Sequence, residues 1–256
     1  MTPPLPGATL EAMGGDPTET PELSVILPAW NEAEWIGGAL DAVYAACAGA
    51  RVRAEVIVTD NASSDATARI AGERGARVVY EPERRIARAR NAGAAIARGR
   101  FLLFVDADTW PDAELLNATL RALRSGEVCG GGAQVRLDQL DRALYRWGQA
   151  LWNHLSRALG VAAGCYLFCT REAFDASGGF SERVYAGEEV FLSRRLARQG
   201  RRRGQVFRIL AHPVQSSGRK ARWFSPWRHL WTALVLLLVP FALRSRRFTR
   251  FWYHRP

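Results

Sequence analysis

Asp106 and Asp108 stand one residue apart at the end of the apolar run Phe101–Val105. Ending a buried strand on carboxylates is unfavourable unless a cation compensates them, because a desolvated charge needs a partner. Either the strand stops at solvent, or the two acids hold a metal. Hard oxygen ligands suit Mg2+ or Mn2+, and such an ion can bridge a diphosphate. Two more β-like runs deliver polar groups in the same way: Leu23–Pro28 leads into Ala29, Asn31 and Glu32, and Ala54–Val58 leads into Asp60 and Asn61. One such acid is usually a helix cap. Groups at three strand ends point to a binding rim, since ligands of open parallel sheets sit beyond the carboxyl ends of the strands.

The elements that must position these groups alternate. After the first strand, Trp35, Ile36, Leu40, Val43 and Tyr44 recur at helical spacing. The second strand precedes a helix reaching Ile70, for which Asp65 or a neighbouring serine is the expected cap. "ARVVYE" reads as a third strand, followed by a small-residue helix from Ile86 to Arg98, with Arg84, Arg85 and Arg90 expected on a solvated face. "RFLLFVDAD" is the fourth strand, and Pro111-Asp112 opens a helix running to Ser125. Strands alternating with helices of this length predict a parallel sheet covered on both faces. Beyond Gly130 the pattern loosens into a strand over "GGGAQVRLD", a Trp-containing helix from Asp141 to Leu159, a strand "YLFCT", a helix over Glu188–Gln199 and a last strand, Gln205–Leu210.

Composition narrows the setting. Of 256 residues 48% are hydrophobic, enough to bury the core of one domain. Residues 1–21, rich in Pro, Gly and Thr, read as a disordered tail without a secretory signal. Four scattered cysteines without zinc-site spacing read as small core hydrophobes of a reducing compartment, so a cytoplasmic location is expected. The net charge is +10, yet no Asp or Glu follows Glu189, against sixteen Arg and Lys. A basic C-terminal third predicts an anionic partner, such as a lipid surface or phosphates. Leu230–Leu243 is uncharged and Trp-flanked, but as a helix it would be about 21 Å long, short of a bilayer core of roughly 30 Å, and Pro240 interrupts it. The expectation for residues 216–256 is a segment lying in the membrane interface, on the inner face of the membrane, or else a buried or dimerising helix that would make a homodimer.

Taken in order, "SVILPAWNE", "VIVTDNASSD", "RIARARNAGAAIARG", "LLFVDAD" and "GGFSERVYAGEEVFLSRRL" resemble the nucleotide-sugar glycosyltransferases of family 2 over about Leu23 to Ile209. That resemblance implies the GT-A fold: α/β, with a Rossmann-like, mostly parallel sheet flanked by helices. It implies a transferase domain over 22–215, with a nucleotide-binding half (22–125) and an acceptor half (126–215). It implies a UDP- or GDP-sugar donor, Mn2+ or Mg2+, and inversion at the anomeric carbon. Carried over by position, Pro28, Ala29, Asn31 and Glu32 hold base and ribose, Asp60 meets the nucleobase, and Arg88 and Asn91 line the nucleotide pocket. Asp106, Ala107 and Asp108 match the D-x-D motif, with Asp108 the direct metal ligand and Asp106 nearer the ribose or a bound water. Glu188-Glu189 matches an acidic pair whose second member is the general base. The family usually has Asp second; Glu189 is the favoured base here and Glu188 the alternative. His212 falls where some members of the fold place a metal-binding histidine, and Gly164 and Cys165 fall on the acceptor side. Where processive relatives carry Q-x-x-R-W, Arg219 replaces the Gln, which predicts a non-processive enzyme.

Two rivals remain from other classes. "FVDADTW" superficially matches the strand of aspartate-nucleophile phosphatases, which would make Asp106 and Asp108 a hydrolase pair; position 110 is Trp where that motif has Thr. A non-catalytic basic module binding lipid or nucleic acid would explain the C-terminal charge. It leaves the acids at three strand ends unexplained, so nucleic acid is not the expected partner.

Overall fold

Three continuous apolar runs, β1 (Leu23–Ala29), β2 (Ala54–Asp60) and β4 (Phe101–Val105), lie parallel at the centre of the sheet. Strands with no polar alternation must be covered on both faces, and these are. The structure, a computed structural model, describes residues 20–138 and 143–219. On one face α1 (Ile36–Gly49), α2 (Thr67–Glu73) and α4 (Ala113–Arg124) pack against Leu23, Val25 and Leu27 of β1. On the other, α3 (Ile86–Ile96), α6 (Arg171–Ser177) and α7 (Glu188–Arg202) cover Ile26, Ile57, Leu102 and Phe104. Gly93 lets α3 approach closely, because a Cβ there would lie 2.5 Å from Ile26 Cγ2 and 2.8 Å from Thr59 Oγ1.

The full sheet order is β3-β2-β1-β4-β7-β6-β8-β5, with β3 at Arg77–Tyr80, β5 at Thr109–Trp110, β6 at Val128–Leu137, β7 at Tyr166–Thr170 and β8 at Val206–Ser216. β7 runs antiparallel between β4 and β6, so the two expected halves share one sheet. α5 (Ala143–Leu159) lies along β6, and residues 139–142 of the expected helix start are outside the described residues.

Several expectations need adjusting. β8 continues six residues beyond the expected end at Leu210. Its register against β6 passes from Ala133↔Leu210 to Gln134↔Pro213, so Ala211 and His212 form a bulge that tolerates the missing N–H of Pro213. The two-residue β5, pairing with the end of β8, and α6, capped by Thr170 and closed by left-handed Gly178, are additional elements. All four cysteines are free and three are buried, as small core hydrophobes would be. Among the described residues no helix is long and apolar enough to cross a membrane, and the expected interface segment lies almost wholly outside them.

Candidate active site

Parallel register brings the three strand ends together: Ala29 lies opposite Asp60, and β4 flanks β1 on its other side. The loop after β1 is stitched to the loop after β2. Asn31 takes a left-handed backbone (φ 52°), its N–H donates to Ser63 Oγ (3.0 Å), and its side-chain oxygen accepts from Ser64 N (2.8 Å). Asp60 accepts from Ser63 N (3.2 Å), and Asn61 N donates to Ala29 O (2.8 Å). Asp65 accepts from Thr67 N (3.0 Å) and from Ala33 N (3.1 Å), so it braces the turn before α2, whose N-cap is Ala66 rather than the expected Asp65. Pro28 and Ala29 are buried at the mouth of β1, and Glu32 and Asp60 are buried beside them.

The Asp106–Asp108 corner is held by two arginines. Arg90 of α3, expected on a solvated face, is 1% exposed. It shares the inward helix face with Ala87 and Ala94. Its Nη2 donates to Asp106 Oδ1 (2.9 Å) and to the carbonyl of Gly164 (2.9 Å), and its Nη1 to Glu188. Burial alone would lower the guanidinium pKa, but Asp106, Glu188 and Glu189 outweigh it and push the value up, so Arg90 stays charged. Gly164 lies close against the guanidinium: a Cβ there would sit 3.2 Å from Arg90 Nη2, which would have to give by a few tenths of an ångström. Cys165 contributes its carbonyl, which accepts from Asp106 N (3.2 Å).

Asp108, 6% exposed, pairs through Oδ2 with Arg219 Nη2 (2.9 Å). The same guanidinium forks onto Glu32 at 2.7 and 2.6 Å and lies 5.3 Å from the Trp35 ring centroid. Burial pulls its pKa down, and the charges of Glu32, Asp108 and Asp106 pull it up further still. Arg219 is delivered by the end of β8, where Ser217 N donates to Asp108 O (3.0 Å) and Gly218 N to Asp138 Oδ1 (2.6 Å).

Glu188 and Glu189 open α7, where the helix dipole favours acids. Glu188 is buried and spoken for by Arg90. The half-buried Glu189 is not: desolvation first, and then the charge of Glu188, push its pKa up to about 8 against the opposing pull of Arg90. A carboxyl held protonatable near neutral pH beside an ion-paired neighbour is the arrangement expected of an acid–base group.

Arg88 reaches the Asp60 rim through Glu81, whose N–H donates to Asp60 O (2.9 Å). Arg88 pairs with Glu81 (3.1 Å), Glu83 and Glu182, and the Asn91 amide brackets Phe180, accepting from its N–H and donating to its carbonyl. Both tie α3 to the 180–182 segment. His212 lies in the β8 bulge, and its ring contacts Asp112 (3.0 Å) and Glu114 (3.6 Å) in the first turn of α4. Burial acts to raise the Asp112 pKa, yet the Leu115 N–H and His212 bring it below its usual value. Among the described residues no three His, Cys, Asp or Glu side chains are grouped to hold a metal. The donor set therefore fits a cation only in the way Mg2+ and Mn2+ are commonly held, by one or two carboxylates together with substrate phosphates.

Sequence reasoning missed Arg90 and Arg219 as site residues. The inward spacing of Ala87, Arg90 and Ala94 was a readable signal for the first, and the place of Arg219 at the Gln position of a Q-x-x-R-W-like stretch was one for the second.

Comparison with known proteins adds the following. The family model described as "Glycosyl transferase family 2" matches residues 24–178. The chain is 26% identical over 191 residues to Glycosyltransferase AglE of Haloferax volcanii, an alignment covering 70% of this chain and 62% of that protein. It is 30% identical over 129 residues to Dodecaprenyl-phosphate galacturonate synthase of Rhizobium johnstonii, covering 47% of this chain and 38% of the relative. Among solved structures it resembles mannosyltransferase PcManGT from Pyrobaculum calidifontis in complex with GDP-Man and Mn2+, with a TM-score of 0.64 and 25% identity, over 85% of this chain and 61% of that one. It also resembles residues 1–349 of S. aureus TarS, with a TM-score of 0.60 at 16% identity, over 84% of this chain and 65% of that one. The chain thus spans less than two thirds of the length of these proteins. The fold is the GT-A type.

Proposed function

The chain belongs to glycosyl transferase family 2, and from that premise we propose that it transfers a hexose from a UDP- or GDP-sugar, with inversion and without processivity, to an acceptor hydroxyl or a lipid-linked phosphate. In this reading residues 22–215 form the transferase domain, with 22–125 holding the nucleotide and 126–215 the acceptor. The hydrolase and binding-module readings give way to the family match.

The observation that carries the proposal is the chain of charges Asp106–Arg90–Glu188, which makes the D-x-D corner and the acidic start of α7 one hydrogen-bonded unit with Glu189 beside it. Asp60 and the Asn31–Glu32 loop receive the nucleoside. Glu189, as carboxylate, takes the proton of the acceptor hydroxyl while the acceptor oxygen bonds to the anomeric carbon and the bond to the diphosphate oxygen breaks. A positioned base of this kind is worth about 10²–10⁴-fold. A phosphate acceptor is already anionic and needs no such base, so the two acceptor classes are separable by pH. Asp108, with Asp106 behind it, would hold Mn2+ or Mg2+ against the donor diphosphate, and the ion would neutralise charge developing on the leaving group. Arg219 stands beside Asp108 as a second cation for the same charge. The GDP-Man and Mn2+ bound to PcManGT, and the lipid-phosphate product named for the Rhizobium relative, support this choice of donor, metal and acceptor classes. The basic segment after Arg219 is assigned to an anionic membrane surface on the cytoplasmic side.

The test is calorimetry of UDP and GDP with and without Mn2+, on the full chain and on Asp108→Ala. Metal-dependent binding of one nucleotide, lost in the variant, is the expected result. Failure of both nucleotides to bind would overturn the proposal.

A further inference from the structure

α5 is built inside out. Its uncharged polar side chains Gln149, Asn153 and Ser156 face the protein: Gln149 Oε1 accepts from Leu137 N (2.7 Å), Asn153 accepts from Val135 N and donates to Val135 O (both 2.9 Å), and Ser156 Oγ donates to Val161 O (2.6 Å). The reason is local. β6 pairs with β7 only over Gly130–Gly132, so its backbone groups at Val135 and Leu137 would otherwise lack partners on that edge. An unpaired edge must be covered or capped. The α5 amides do this, and they use up the helix's polar face.

The apolar residues are left outside. Trp147, Leu151, Leu155 and Leu159 recur every four residues with Trp152 beside them, and Trp147, Leu151 and Leu159 are 77%, 59% and 69% exposed. A monomeric soluble surface rarely carries so continuous an apolar stripe. At 100° per residue, Arg146, His154 and Arg157 run along one flank of the stripe, and α5 carries no Asp or Glu over 143–159.

We propose that this stripe docks α5 in the plane of an anionic lipid surface, with the two tryptophans and the leucines in the headgroup–acyl boundary and the arginines toward lipid phosphates. A leucine–tryptophan face with basic groups along one flank and no acid on the helix has the makeup of an interfacial helix. The charge pattern disfavours a second copy as occupant, because α5 packed on α5 would bring Arg157 and His154 of both chains together with no acid on either helix between them. Docking does not depend on the donor chemistry. One consequence does rest on the glycosyltransferase reading: Leu159 and Gly164 are five residues apart, at most about 18 Å along the chain, so a lipid-borne acceptor would be presented close to the acceptor side.

The experiment uses the full chain. Leu151→Cys is labelled with an environment-sensitive dye, with the parent chain labelled in parallel to account for half-buried Cys165. Vesicles of phosphatidylcholine alone, or mixed with phosphatidylglycerol, are added. The expected result is a blue shift and quenching by brominated lipid with the anionic vesicles, and vesicle binding at least tenfold weaker in W147S/L155S. Thermal melting verifies that this doubly substituted chain stays folded. An emission already blue in dilute protein without vesicles would mean that the chain's own residues cover the stripe. A blue shift appearing with protein concentration alone would mean a second copy. Either result overturns the proposal, as does vesicle binding unchanged in W147S/L155S. Asp108→Ala should bind vesicles normally whatever becomes of the donor site.

Discussion

Two buried arginines neutralise the same D-x-D corner, and the fold holds them differently. Arg90 projects from the middle of α3, with Asp106, Glu188 and the Gly164 carbonyl around it, so its partners come from three separate segments of the core. Arg219 projects from the chain just beyond β8 and is held by Glu32, Asp108 and the face of Trp35. Nothing short of opening the core can move Arg90. Arg219 is delivered by the single segment at the end of β8. From that difference we propose a permanent positioning role for the first arginine and, for the second, one in which a metal ion would take its place on Asp108.

The largest expected effect tests what the Arg90 cluster leaves behind. Glu189→Gln should reduce transfer to a hydroxyl acceptor by about 10²–10⁴-fold. The parent rate should rise with pH through the Glu189 pKa of about 8, and in the variant that rise should vanish. Stability should move oppositely. A carboxyl raised above its ordinary 4.5 favours the folded state less as pH rises, since the unfolded chain ionises more readily. The gain in melting temperature from Glu189→Gln should therefore be absent at pH 4 and full above the folded pKa. A gain independent of pH would remove Glu189 as the titrating group.

Next comes the arginine pair itself. Arg90→Met leaves two carboxylates without their buried partner and should destabilise by about 3–5 kcal/mol, read by denaturant unfolding. A loss under about 1 kcal/mol, the level of a surface pair, would contradict the role given to Arg90. Arg219→Met likewise leaves the buried Glu32 and Asp108 without their shared cation and should destabilise by about 3–5 kcal/mol. It should bind Mn2+ alone about tenfold more tightly, a gain of about 1.4 kcal/mol, because Asp108 and Glu32 lose their competing cation; the nucleotide diphosphate should bind more weakly. If Mn2+ binding weakened as well, Arg219 would be a fixed part of the site rather than an exchangeable one. The smallest effect is expected at His212. Its replacement by Ala breaks a partly exposed pairing with Asp112 and should cost about 1 kcal/mol or less, with Mn2+ binding unchanged. Lost Mn2+ binding would restore the histidine as a ligand.

Much of the fold was legible because its central strands are apolar throughout and its caps are local. β1, β2, β4 and β7 fall where the runs Leu23–Pro28, Ala54–Asp60, Phe101–Val105 and "YLFCT" suggested. Asp112 caps α4 by accepting from Leu115 N, as Pro111-Asp112 implied. What escaped has non-local causes. β5 exists only because β8 passes it, and β8 reaches that far only through a bulge at Ala211-His212 that no period of two or 3.6 predicts. The same bulge turns His212 to α4. The polarity of α5 was readable as a helix but not as an inverted one, because its inner face answers to the unpaired edge of a strand whose partners the sequence does not name.

Neighbouring residues alone place the set of acids and the strand ends that present them, since apolar runs, turn residues and D-x-D spacing are local properties of the chain. Tertiary structure alone decided which cations face those acids. Arg90 lies 16 residues from Asp106 and 98 from Glu188, and Arg219 lies 187 residues from Glu32. Such pairings depend on crossovers and sheet order, and burial then makes them strong. A charge in water is nearly indifferent to its distant partners, whereas the same charge under a helix must find one.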